Sequence, residues 1–106
     1  MCRALKILCV APDDAALDEL RRATVSAEWE LTPGATSGQD ALARLREERP
    51  HVLVVFGAFP GLVERALEAY PFLRVIADHQ TPGAVVVGSA DEVRAAVKGW
   101  GGPVRS

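Results

Sequence analysis

Residues Val52-Leu53-Val54-Val55-Phe56 are apolar at every position. A strand with one wet face alternates apolar and polar side chains. A strand without alternation is what a central parallel strand looks like when helices cover both faces of its sheet. That demand shapes the rest of the chain, because parallel neighbours need crossover connections that are usually helical.

The flanking sequence supplies them. Leu5 to Val10 reads as a strand, and Ala11-Pro12 breaks it. Asp13 or Asp14 then caps a helix to about Thr24, with Ala16, Leu17, Leu20 and Ala23 on one face. Trp29 to Thr32 is a short second strand, followed by the turn signal Pro33-Gly34. Ser37-Gly38-Gln39-Asp40 resembles a capping box and opens a helix to about Glu48, stopped by Pro50. After the Val52–Phe56 strand, Leu62, Val63, Ala66, Leu67 and Tyr70 mark an amphipathic helix ended by Pro71. Leu73 to Ala77 and Ala84 to Val87 are the fourth and fifth strands. Ser89-Ala90-Asp91-Glu92 is a capping box for a last helix carrying Val93, Ala96, Val97 and Trp100, closed by Gly101-Gly102-Pro103.

The order βαβαβαββα predicts a three-layer α/β sandwich with a five-stranded, mostly parallel sheet. One crossover is abnormal. Only Asp78 to Gly83 separates the fourth and fifth strands, too few residues for a helix. Either these six residues make a tight extended return, or the fifth strand runs antiparallel as a hairpin. The return is favoured, because Ser89 has to launch the last helix on a covered face.

Composition bounds the function classes. The chain has 106 residues, 49% hydrophobic and 25% charged, so residues 1–106 are expected to form a single globular α/β domain. The longest apolar run, Val52 to Phe59, is far short of the roughly 18–20 residues a membrane helix needs. No secretory signal is visible, so a cytoplasmic location is expected. Net charge is −2 and the basic residues are interleaved with acids, which argues against nucleic-acid binding by this domain alone. Cys2 and Cys9 have no metal-ligand spacing; Cys9 is expected to be a small buried hydrophobe and Cys2 an exposed terminal residue.

The stretch Pro50-His51-Val52-Leu53-Val54-Val55-Phe56-Gly57-Ala58-Phe59-Pro60-Gly61 resembles response-regulator receiver domains, which read P-D, four apolar residues, D-x-x-x-P-G here. Gly38-Gln39-Asp40-Ala41-Leu42 sits where receivers have G-x-x-A-L, and Ile7 to Val10 matches their first strand. The resemblance covers nearly the whole chain and implies the flavodoxin-like strand order 2-1-3-4-5, with the fourth helix missing or reduced to a loop. It does not extend to the phosphorylation residues. The phosphoacceptor aspartate falls on Phe56, and the magnesium-binding acidic pair on Ala11 and Pro12. The switch hydroxyl falls on Asp78 or His79, and the lysine that receivers carry near Gly88-Ser89 is absent. A degenerate pseudo-receiver is the expectation: not an enzyme, with no cofactor and no metal.

Two places remain for function. The sheet's carboxyl edge carries Asp13, Asp14, Asp78 and His79, with Phe59 as an exposed apolar anchor beside Phe56; convergence of Asp13, Asp78 and His79 would suit a small ligand or metal. The other is the face left by the missing helix. Val75, Ile76, Val85, Val86 and Val87, with Trp100 at the rim, supply apolar side chains for a protein partner or a homodimer. A regulatory protein-interaction module is the first expectation and a ligand-binding sensor the second. No membrane contact is expected.

Overall fold

The computed structural model describes residues 5–25, 29–32, 34–57, 59, 61–71, 73–81 and 83–101. Along the chain run β1 (Leu5–Val10), α1 (Asp14–Thr24), β2 (Trp29–Leu31), α2 (Gly38–Glu48), β3 (Val52–Val55), α3 (Leu62–Ala69), β4 (Arg74–Ala77), β5 (Ala84–Val86) and α4 (Ala90–Gly101). The five strands lie in the order β2-β1-β3-β4-β5, the doubly wound flavodoxin-like order. Every pairing is parallel, including β4 with β5, whose register matches Val75 to Ala84 and Ala77 to Val86. The tight return is therefore the arrangement formed.

Strand alternation sorts the core into two layers. Leu8, Val10, Leu53, Val55 and Val75 face Ala41 and Leu45 of α2 and Leu62, Val63 and Ala66 of α3. Ile7, Cys9, Val52, Val54 and Ile76 face Leu20 of α1 and Val93 and Val97 of α4. All four residues of β3 are buried, as its unbroken apolar run requires. Each such side chain contributes roughly 1.5–3 kcal/mol of burial.

The caps follow their sequence signals. Asp13 accepts from the Ala16 N–H at 2.8 Å, and Ser37 Oγ accepts from the Asp40 N–H at 3.1 Å. Glu92 reaches back to the Gly88 N–H at 2.8 Å, one residue before the expected cap at Ser89. His51, an exposed residue, accepts from the Lys6 backbone N–H through Nδ1 at 3.0 Å, so its Nε2 carries the proton when the ring is neutral.

The return from β4 to β5 is closed by its own hydrogen bonds. Thr81 Oγ1 donates to the His79 carbonyl at 3.0 Å, and the Ala84 N–H donates to the Thr81 carbonyl at 3.1 Å. Gly83 has φ +84°, and a Cβ there would lie 2.6 Å from Leu67 Cδ1 of α3. The backbone conformation favours glycine here, and a side chain would in addition have to displace the tip of Leu67. The segment thus lies against α3 in place of a helix.

This placement corrects the expected apolar face. Val75, Ile76 and Val87 are only 2%, 0% and 6% exposed, whereas Val85 and Val86 are 42% and 47% exposed. Val75 is covered by the α3 layer, and Ile76 and Val87 by the layer that includes α4. What the missing helix leaves uncovered is confined to the edge strand β5. Trp100's side chain, and Cys2, lie outside the described residues.

Candidate functional site

The carboxyl ends of the strands are where an open α/β sheet places its site. At the end of β1, Ala11 is fully buried and its N–H donates to the Ala35 carbonyl at 3.1 Å. Pro12 follows and packs toward the turn after β3, where a Cβ on Gly57 (φ +111°) would stand 3.0 Å from Pro12 Cδ. Asp13 has turned away to cap α1, and Asp14 is the exposed first residue of that helix. Residues 11 and 12 offer no side-chain oxygen as a ligand.

Phe56 continues β3 by one residue, its N–H donating to the Val10 carbonyl at 2.9 Å. Its half-buried ring packs against the α1/α4 layer. Phe59 is half-buried against the other layer, not the exposed anchor expected, because the backbone turns there: the Leu62 N–H donates to the Phe59 carbonyl at 3.1 Å to start α3.

At the end of β4, Asp78 Oδ1 accepts from the Gly57 N–H at 3.2 Å and lies 2.8 Å from His79 Nδ1. The edge therefore brings Asp78 and His79 together and ties them to the turn after Phe56. It does not bring Asp13 to them. Among the described residues no group of three or more His, Cys, Asp or Glu side chains is placed to hold a metal ion. The residues near a receiver's lysine position are likewise engaged locally, with the Gly88 N–H held by Glu92.

Cys9, the buried cysteine of β1, has its thiol pKa pushed up to about 11 by burial, against a weaker opposing effect of its hydrogen bond with Thr24 Oγ1 at 3.7 Å. A neutral, enclosed thiol is a packing element and not a nucleophile.

Sequence reading missed a groove beside Phe56. Ala16, Glu19, Leu20 and Ala23 of α1, with Asp91 of α4 and Phe56, line an open depression of about 390 Å³. The four α1 residues are spaced i, i+3, i+4 and i+7, so one helical stripe forms its wall. The apolar members of that stripe are legible in the sequence; the contribution of Phe56 and Asp91 is tertiary.

The fold is that of the receiver domains. The chain is similar to a CheY-like receiver domain from Methanospirillum hungatei JF-1 at 17% identity and TM-score 0.73, covering 91% of this chain and 92% of that one. It is similar to the receiver domain of the putative response regulator NarL from Mycobacterium tuberculosis, at 20% identity and TM-score 0.69, covering 91% and 94%. Chemotaxis protein CheY4 of Vibrio cholerae aligns over 91% of this chain and 98% of its own at 16% identity and TM-score 0.72. No protein-family model matches the chain, and neither does any curated protein. Among the described residues no helix is long and apolar enough to cross a membrane.

Proposed function

We propose that this chain is a pseudo-receiver: a non-catalytic regulatory module that works through protein contact, independently of phosphorylation. The observation that carries this reading is Phe56 at the carboxyl end of β3, packed into the core layer where receivers present the acceptor aspartate. Phosphoryl transfer needs a nucleophile, a metal and charge-stabilising donors in one place. Ala11, Pro12 and Phe56 offer no side-chain oxygen, and Asp13 is engaged as a helix cap. The receiver-like fold supports a place in signalling or transcription control, and the net charge of −2 supports a role without nucleic-acid contact by this domain.

Contact is assigned to β5. Val85 and Val86 project from opposite faces of an edge strand, which leaves both apolar side chains and unpaired backbone toward solvent. A protein partner, or a second copy of the chain, covers them.

The experiment has two arms. Incubation with acetyl phosphate and Mg²⁺ is expected to add no phosphate by intact mass. Light scattering and a pull-down from the native host compare the chain with Val86→Asp, which is expected to lose association. Phosphate incorporation overturns the pseudo-receiver reading, and unchanged association by Val86→Asp overturns the assigned surface.

A further inference from the structure

We propose that the groove lined by Ala16, Glu19, Leu20, Ala23, Phe56 and Asp91 binds a small organic cation, an amine or guanidinium carried on an apolar body. The inference is separate from the β5 contact, which lies on another part of the sheet.

Size comes first. The depression of about 390 Å³ falls within the roughly 300–1,000 Å³ range of small-molecule sites. Its lining combines an aromatic ring with the aliphatic groups of Ala16, Leu20 and Ala23, so an apolar body is accommodated.

Charge comes second. Both polar residues of the lining, Glu19 and Asp91, are carboxylates from different helices. Neither lining carboxylate takes part in the ion pairs Arg22 with Asp18, Arg44 with Glu47 or His79 with Asp78. Two acids bordering one concavity both attract a cation bound in it. A bare metal ion is a poorer fit, because two carboxylates on an apolar wall leave most of its coordination shell unfilled. An organic cation needs only the two charges and a surface for its body, and the half-buried Phe56 ring supplies part of that surface.

Phe56 gives the groove its connection to the rest of the molecule. The residue sits at the sheet's carboxyl edge, its N–H tied to β1 and the next residue tied to Asp78, just after β4. A ligand resting on this ring is therefore positioned to alter the turn at Gly57.

The test is ¹H–¹⁵N titration of the full chain with phenethylamine, using 3-phenylpropionate as the control of similar body and opposite charge. Saturable shifts at Ala16, Ala23 and Gly57 with phenethylamine alone are expected. Glu19→Gln together with Asp91→Asn, both exposed positions, is expected to weaken binding at least fivefold with the fold intact by circular dichroism. Phe56→Leu keeps an apolar core residue and is expected to weaken it by a smaller factor. Absence of saturable shifts up to 10 mM (about the weakest binding worth assigning), equal shifts from 3-phenylpropionate, or indifference to the double substitution would overturn the proposal.

Discussion

The carboxylate of Asp78 holds the backbone N–H of Gly57 at 3.2 Å, linking the end of β4 to the turn that follows β3 across 21 residues of sequence. The same oxygen meets His79 Nδ1 at 2.8 Å, so one acceptor orders both turns at the sheet's carboxyl edge. Asp78→Ala is expected to cost about 0.5–1.5 kcal/mol, in line with one partly exposed hydrogen bond. Amide exchange at Gly57 is expected to speed up, while Asp78→Asn, which keeps an acceptor oxygen, retains most of the protection. Unchanged exchange in the alanine variant would show that the turn holds itself.

Trp29 makes an analogous link at the other edge. Its indole N–H donates at 2.7 Å to the carbonyl of Thr24, the last residue of α1, and the ring is almost wholly buried. Thr24 Oγ1 in turn donates to the Leu20 carbonyl at 2.9 Å. Trp29→Phe preserves the apolar contact in part but leaves a helix-end carbonyl unpaired in the interior. The expected loss is about 1–3 kcal/mol in urea denaturation, with the slope unchanged.

Much of this architecture is legible in the residues themselves. The unalternating run at Val52–Val55 announces a doubly covered strand, and the helix caps at Asp13 and Ser37 sit where short polar side chains precede apolar stripes. The six-residue gap from Asp78 to Gly83 reveals the absent helix. Exposure is another matter. Alternation assigns Val75 and Val86 to a face of the sheet but is silent about what covers that face. Here Val75 is buried in the layer that includes α3, whereas Val86 is left exposed. The grip of Asp78 on Gly57 was equally hidden, because it depends on two strand ends becoming neighbours. The Phe56 groove joins residues from α1, β3's end and α4, and no local pattern relates them.

Gly83 tests the return directly. An alanine there meets both an unfavourable positive φ and Leu67 Cδ1 at 2.6 Å. Gly83→Ala is expected to destabilise by roughly 1–3 kcal/mol, and Leu67→Ala in the same chain to relieve only the steric share. Equal stability of Gly83→Ala and the parent in thermal melts would mean that the segment does not rest on α3.

Cys9 predicts a loss of stability at high pH. Its thiol titrates near 9.0 when unfolded and is pushed up to about 11 when folded. The folded state therefore holds the proton more tightly. The stabilisation is complete below pH 9, falls as the unfolded thiol ionises, and is exhausted above pH 11, a change of roughly 2–3 kcal/mol. Comparing urea midpoints of the parent and Cys9→Ala between pH 8 and 11 isolates this contribution from other titrations. The parent is expected to lose stability faster than the variant over that interval; parallel curves would contradict the burial argument. Alkylation by iodoacetamide at pH 8 is expected to require unfolding.

An acidic residue placed at position 56 is not expected by itself to create a phosphorylation site. Phe56→Asp puts a carboxylate in place of a half-buried ring packed on the α1/α4 layer, removing an aromatic contact and partly desolvating a charge. A stability loss of about 2–4 kcal/mol is expected on that account. Phosphate is not expected to enter from acetyl phosphate, because Ala11 and Pro12 still supply no metal-binding oxygens beside the new aspartate. Triple substitution with Ala11→Asp and Pro12→Asp supplies them, though Ala11 is fully buried and its replacement costs further stability. Intact-mass measurement after incubation with acetyl phosphate and Mg²⁺ separates the cases. A phosphate adduct on the single variant would mean that the metal is held from elsewhere on this edge, where the helix cap Asp13 and Asp78 lie.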